Sequence, residues 1–183
     1  MAPVALLTLF PCIAHAVPPA ALPPIAVYGT WSVQCPQTSD RGGYCEIVQQ
    51  VREATGSGRP VLQFALSCMA AQQRCAVQIG LPPSLGAGQA TLLSLDTTLP
   101  WELSVHSCDR LRCSGGGMLP FAFGEEFVRA KRIRLQFRDQ RAGRQEIVLG
   151  VEGLTQAFAD MIARNAGMAA NAGTPSYGEG KTR

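Results

Sequence analysis

The chain has no apolar stretch near the roughly 20 residues that a membrane-spanning helix requires. Its longest such run, Val4 to Ile13, is ten residues and is broken by Pro11. No lysine or arginine precedes that run. There is no C-x-x-C, which argues against a dithiol redox motif, and no G-x-S-x-G, which removes the nucleophile elbow of the serine hydrolases. Histidine is scarce: His15 and His106 are the only two, and a hydrolase built on histidine would have to use one of them. The glycine run after Ser114 follows a cysteine and has no lysine behind it, so it is not a phosphate loop and reads as a flexible turn. The net charge is only +3, and no surface interleaves aromatic with basic residues, so nucleic acid is not an expected partner. No solenoid-type repeat occurs.

What is present points to export. The short apolar run leads into Ala14-His15-Ala16, a small-x-small pattern, and residues 1–16 read as a secretory signal. Residues 17–26, with four prolines, read as an extended arm. Residues 27–164 read as one domain. The Gly-rich stretch 165–183 reads as a disordered tail, because it has little apolar surface to offset the entropy of ordering.

Seven cysteines are an odd number. Loss of Cys12 with the signal leaves Cys35, Cys45, Cys68, Cys75, Cys108 and Cys113, an even set that reads as a disulfide framework in an oxidising compartment. Three sequence-local pairs are preferred, each at strand ends, although six cysteines permit 15 pairings and the connectivity stays open. Zinc is the competing reading. Ligand pairs in structural zinc sites are usually two to four residues apart, and of the gaps of nine, six and four only Cys108/Cys113 fits. No metal and no cofactor are therefore expected. What favours zinc is that simple alternation puts His106 on the same side of a strand as Cys108; a second alternative is a thiolate at Cys108 activated by His106, with Cys113 at hand to oxidise it.

The domain alternates with strand period. Trp31, Val33 and Cys35 share a face, as do Cys45, Ile47 and Val51. The same holds for Leu62, Phe64 and Leu66, for Val77, Ile79 and Leu81, and for Trp101, Leu103 and Val105. The clearest case is Ile133, Leu135 and Phe137 facing in, with Arg132, Arg134 and Arg138 facing out. A segment at Ala90–Asp96 and one at Gln145–Val151 complete the set. About eight short antiparallel strands of this kind predict an all-β, disulfide-stapled sandwich. Gly124–Arg132 could form a turn or two of helix. Gly153–Arg164 predicts a helix with Leu154, Phe158, Met161 and Ile162 on one stripe, stopping at Asn165 and lying over one end of the sandwich.

One basic cluster stands out: Arg129, Lys131, Arg132, Arg134, Arg138, Arg141 and Arg144, with only Asp139 among them. It serves either as a solvated hairpin face that discourages edge aggregation or as a surface for an anionic partner such as lipopolysaccharide, a glycan or lipid headgroups.

These residues together resemble a known family. The stretches WSVQC from Trp31, CEIVQQ from Cys45, LPPSLGAGQ from Leu81, LSLD ending at Asp96, the C-x4-C at Cys108 and VEGLTQAFADM ending at Met161 are similar, in order and spacing, to the invasion-associated locus B family. The resemblance covers about residues 28–163. It implies export by a Gram-negative bacterium to the periplasm or outer envelope, or secretion, and for some members a link to host-cell invasion. It implies no catalytic residues. Its recurring cysteines match Cys35, Cys45, Cys108 and Cys113. The chain departs from the pattern with Arg112 where glycine is usual, Leu154 where an aromatic is common, and the added pair Cys68/Cys75. The expected role is an exported envelope-binding protein, not an enzyme, with an unidentified protein, glycan or envelope component as partner and at most peripheral attachment. The alternative is a periplasmic thiol-redox or other enzyme using Cys108 and His106.

Overall fold

The structure is a computed structural model that describes residues 23–36, 43–53, 60–96 and 98–172. The expected signal segment, the arm up to residue 22 and the tail from 173 lie outside the described residues. The elements are β1 (Ala26–Tyr28), β2 (Trp31–Gln34), β3 (Glu46–Arg52), β4 (Pro60–Met69), β5 (Arg74–Leu81), β6 (Ala90–Leu95), β7 (Trp101–Cys108), β8 (Cys113–Pro120), α1 (Phe121–Arg129), β9 (Ile133–Asp139), β10 (Gly143–Leu149) and α2 (Leu154–Ala172).

The ten strands form one antiparallel sheet in the order β1-β2-β3-β4-β5-β8-β7-β6-β9-β10, and not the two-layered sandwich of eight that alternation suggests. A sheet curled on itself buries one face just as a sandwich does, so both produce the same alternating pattern. What distinguishes them is how the ends meet. Trp31 Nε1–H donates to the Gly150 carbonyl at 2.8 Å, and the Thr30 N–H donates to that of Glu152 at 3.2 Å. Gln49, buried on the inner face of β3, uses its amide as a strand would. It donates to Gly150 O at 3.1 Å and accepts from Gly150 N–H at 2.9 Å. A side chain thus replaces ladder hydrogen bonds where the two ends of the sheet approach.

The two strands that alternation misses are β1 and β8. A turn at Gly29 (φ 55°), packed on the Glu152 main chain, separates β1 from β2 and draws Ala26, expected in the arm, into the sheet. The glycine run expected to be a turn is the middle of β8, paired with β5 and β7. Its side chains carry no signal because there are none. A Cβ on Gly115 would lie 2.8 Å from Val105 Cα, and one on Gly116 would lie 3.2 Å from Gln78 Cα.

The inner face holds the core. Trp31 meets Phe64 and Phe127 edge-on, at centroid distances of 6.1 and 5.8 Å, and the two phenylalanines stack at 5.4 Å. Phe127 comes from α1, which begins earlier than expected, at Phe121. It ends at Arg129, and just beyond it the Asp96 carboxylate accepts the N–H groups of Lys131 (3.0 Å) and Arg132 (2.8 Å). The helix α2 packs on β1 to β4 through buried Leu154, Ala157 and Met161, with Phe158 and Ile162 half-buried beside them.

Asn165 does not stop α2, which continues to Ala172, so the tail cannot begin at 165. Its side chain is 5% exposed and serves as a polar clamp. Its Oδ1 accepts the Cys45 N–H at 2.7 Å, and its Nδ2 donates to the carbonyls of Cys45 (3.1 Å) and Cys68 (3.2 Å). Asn165→Ala strands these backbone groups in the core. A loss of about 2–3 kcal/mol is expected, read as a lowered urea midpoint with an unchanged slope.

Candidate functional site

The six cysteines form three disulfides, Cys35–Cys45, Cys68–Cys75 and Cys108–Cys113. Each joins residues facing each other across a hairpin. Cys68 is the register partner of Cys75, Cys108 that of Cys113, and Cys35 and Cys45 flank the pair Gln34 and Glu46. The preferred local pairing is the one the fold adopts.

His106 and Cys108 do not share a side. A β-bulge between Val105 and Ser107 inserts His106 as the extra residue and shifts the phase of the strand. Val105 is buried and His106 exposed, while Cys108 packs half-buried against the core and is bonded to Cys113. Alternation puts the imidazole and the sulfur together on the side away from Leu103 and Val105; the bulge leaves His106 exposed and carries Cys108 to the buried side instead. Among the described residues no group of three or more His, Cys, Asp or Glu is placed to hold a metal.

The basic cluster is dispersed. Arg129 ends α1, Lys131 and Arg132 lie in the following connection, and Arg141 sits in the β9–β10 turn. Arg134, Arg138 and Arg144 share the outer face of β9 and β10, with Arg132 immediately before β9, because Ile133, Leu135 and Phe137 fill the inner one. Arg134 is half-buried and donates to the Asp96 carbonyl at 3.0 Å, which makes it structural. Arg144 donates to Gln136 at 3.0 Å, and Arg132 approaches Glu146 at 3.8 Å. Arg138 stands directly opposite Arg144 in the register. Like charges opposed across strands are unfavourable without a counter-charge.

A groove of about 700 Å³ lies at the other end of the sheet from the helices. It opens where β5 parts from β4 after Gly80, because the following Pro82 and Pro83 cannot donate to a ladder. The pairing of β4 with β5 begins only at Gln63 and Gly80. Pro60 and Leu62 pair with β3, with Val61 as the extra residue of a bulge, and have no strand partner on the other side among the described residues. The groove is walled by two rigid turns. In one, Asp139 accepts from the Ser84 hydroxyl and from the N–H groups of Ala142 (2.8 Å) and Arg141 (2.7 Å), donors that hold its carboxyl below the usual carboxylate range. In the other, at the tip of the β7–β8 hairpin, Asp109 accepts from Arg112 N–H (2.8 Å) and Leu111 N–H (2.7 Å), and its carboxyl is likewise held low. Leu111, 74% exposed, and Arg112 project from that tip into the groove's lining, with Arg141 on the other wall. No alternation or motif marks this groove in the sequence. Its one local signal is the Pro-Pro directly after an alternating strand.

A curled antiparallel sheet, covered at one end by helices, grooved at the other and stapled by three cross-strand disulfides, defines a class of rigid β-scaffold. The family model described as "Invasion associated locus B (IalB) protein" matches residues 31–161. The chain belongs to the invasion-associated locus B family. A solved structure of invasion associated protein b from Bartonella henselae has the same fold, with a TM-score of 0.64 and 16% identity over 75% of this chain and 94% of that one. No curated protein matches the chain.

Proposed function

We propose that this protein is exported to the cell envelope and acts there by binding and not by catalysis. The observation that carries this reading is the state of the cysteines. All six that follow the apolar N-terminal stretch are consumed in cross-strand disulfides, a state that an oxidising compartment sustains and the cytosol does not. The N-terminal signal pattern supports the same address. Family membership and the likeness to a protein titled invasion associated support a role in contact with a host.

Fractionation of the native cell tests the address. Recovery from the periplasm or outer envelope, with a mature N-terminus at Val17, is expected; recovery from the cytosol with Met1 or Ala2 at its start contradicts it. The outer arginines supply the proposed contact with an anionic envelope component or host glycan. Arg132→Gln, Arg138→Gln and Arg144→Gln together should release the protein from the envelope fraction with little change in melting temperature, all three being exposed. Unchanged retention removes that face from the account. Arg134 is left alone because its loss would disturb Asp96.

A further inference from the structure

We infer that the tip of the β7–β8 hairpin, Asp109–Arg112, is the point at which this protein touches an anionic lipid surface, with Leu111 entering the headgroup layer and the arginines around it meeting lipid phosphates. The inference rests on the reading of this chain as an envelope protein that binds an anionic component. It names lipid as that component and one end of the sheet as the contact.

Three observations select that partner. The first is the build of the tip. Arg110, Leu111 and Arg112 are all exposed, Leu111 by 74%. The Cys108–Cys113 disulfide closes the loop behind them. Inside it the Asp109 N–H donates to the Arg112 carbonyl at 2.9 Å, and the Asp109 carboxylate accepts the N–H groups of Leu111 and Arg112 at 2.7 and 2.8 Å. The leucine is thus held out between two cations before any partner arrives, which lowers the ordering cost of binding. The second is the extent of the apolar contact. At this end of the sheet Leu111 is the one large apolar side chain exposed among the described residues. A protein partner is anchored by a packed apolar centre, and a sugar offers an aliphatic side chain little. A lipid surface needs only a shallow apolar anchor with cations beside it.

The third is charge, counted with its carboxylates. At this end Arg112 and Arg141 are offset by the aspartates of their own turns, Asp109 and Asp139, and Arg52 by the neighbouring Glu53. Arg110, Arg138 and Arg144 are left over. The guanidiniums of Arg110 and Arg138 make no hydrogen bond or salt bridge among the described residues, and that of Arg144 reaches the neutral Gln136. Glu146, two residues along β10 from Arg144, is met by Gln136 at 2.7 Å and by Arg132 at 3.8 Å. Away from this end the described residues carry eight carboxylates against six basic groups. The molecule is therefore positive where it presents Leu111 and negative over the rest, a polarity that turns this end toward an anionic surface. Leu99 supplies the contrast: it is 88% exposed, but it stands in the β6–β7 connection at the acidic end.

The test is vesicle flotation of the oxidised full-length protein, every variant being prepared alike so that the N-terminal segment contributes equally to all. Vesicles are phosphatidylcholine alone or mixed with phosphatidylglycerol. The mixed vesicles should bind at least about fivefold more tightly, and less so as salt rises. Leu111→Ser should lower that binding about tenfold, while Leu99→Ser leaves it unchanged. Arg110→Gln with Arg138→Gln should lower it at least about tenfold, whereas Arg132→Gln, beyond the other end of β9, changes it little. Melting temperatures should hold throughout, all these side chains being exposed. The inference is overturned by no binding to the mixed vesicles, by equal binding to the neutral ones, by a Leu111→Ser protein that binds as the parent does, or by an equal loss in Leu99→Ser. Two further arms address other partners. Displacement by soluble glycerol phosphate would mean a site for free phosphate and not for a surface. Native envelope vesicles that lose the protein after protease treatment would assign the tip to a protein partner. Either result removes the lipid contact. A protein that stays in the envelope fraction of the cell and yet ignores the vesicles loses only this inference, and the envelope reading stands.

Discussion

Gly116→Val should leave the protein unable to complete its sheet. Strand β8 joins the β1–β5 half of the sheet to the β7–β6–β9–β10 half, so the continuity of the sheet depends on it. Gly116 has φ 155°, and a Cβ there would run into the Val77 carbonyl oxygen, with Gln78 Cα at 3.2 Å. On the other flank, a Cβ at Gly115 would overlap the Ser104 carbonyl oxygen. These obstacles are main-chain atoms of β5 and β7, which cannot move without breaking their own ladders. The expected loss exceeds about 4 kcal/mol, a large share of the roughly 5–15 kcal/mol that holds a typical domain together. It would be seen as loss of soluble exported protein. Gly167→Ala is the control. It lies in α2 with no atom within 4 Å of an added Cβ, and alanine there should stabilise by about 0.5–1 kcal/mol. A Gly116→Val protein that unfolds at the parent's urea concentration would show that β8 is not wedged as described.

The second large effect is expected for Cys68→Ala combined with Cys75→Ala. Both residues are fully buried. Their sulfurs lie where α1 comes closest to the sheet: a Cβ on Gly124 would sit 2.8 and 2.9 Å from them and 3.2 Å from the Phe158 ring. Closing so short a loop contributes about 2–3 kcal/mol through the unfolded chain. The vacated sulfur volume under two helices adds a cavity cost of about 1 kcal/mol, for a loss near 3–4 kcal/mol in total. The equivalent change at Cys108 and Cys113 should cost only about 2 kcal/mol, because Cys108 is half-buried at a hairpin end with no helix over it. Urea midpoints of the two double variants compare them directly. Equal losses would mean that loop closure alone matters. This pair is also the one that the resemblance marks as an addition to the family pattern.

Alternation made eight strands legible because the sheet has one dry face, and apolar residues can sit only there. The local disulfides were legible for a related reason: cysteines at the ends of consecutive antiparallel strands face each other across a hairpin. The strand order was not legible. The pairings of β5 with β8 and of β6 with β9 join segments distant in sequence and leave no local trace. A strand whose working residues are Gly115 and Gly116 has no apolar pattern to read. Asn165 looked like a helix stop because asparagine often is one; only the buried main chain of Cys45 and Cys68 shows why it stands inside a helix. Cys108 was misplaced by a single inserted residue, His106, since a bulge reverses the side of everything beyond it. The groove was invisible because its lining comes from several separate segments that only the curled sheet brings together.

The central claim is that the cysteines staple a binding scaffold and do no chemistry. Its most direct measurement is non-reducing peptide mapping, with free-thiol counting, of protein recovered from the native envelope fraction. The account predicts three linked peptide pairs, Cys35 with Cys45, Cys68 with Cys75 and Cys108 with Cys113, and no free thiol in the mature chain. Six reduced cysteines, or a Cys108 found free or joined to another molecule, would contradict it.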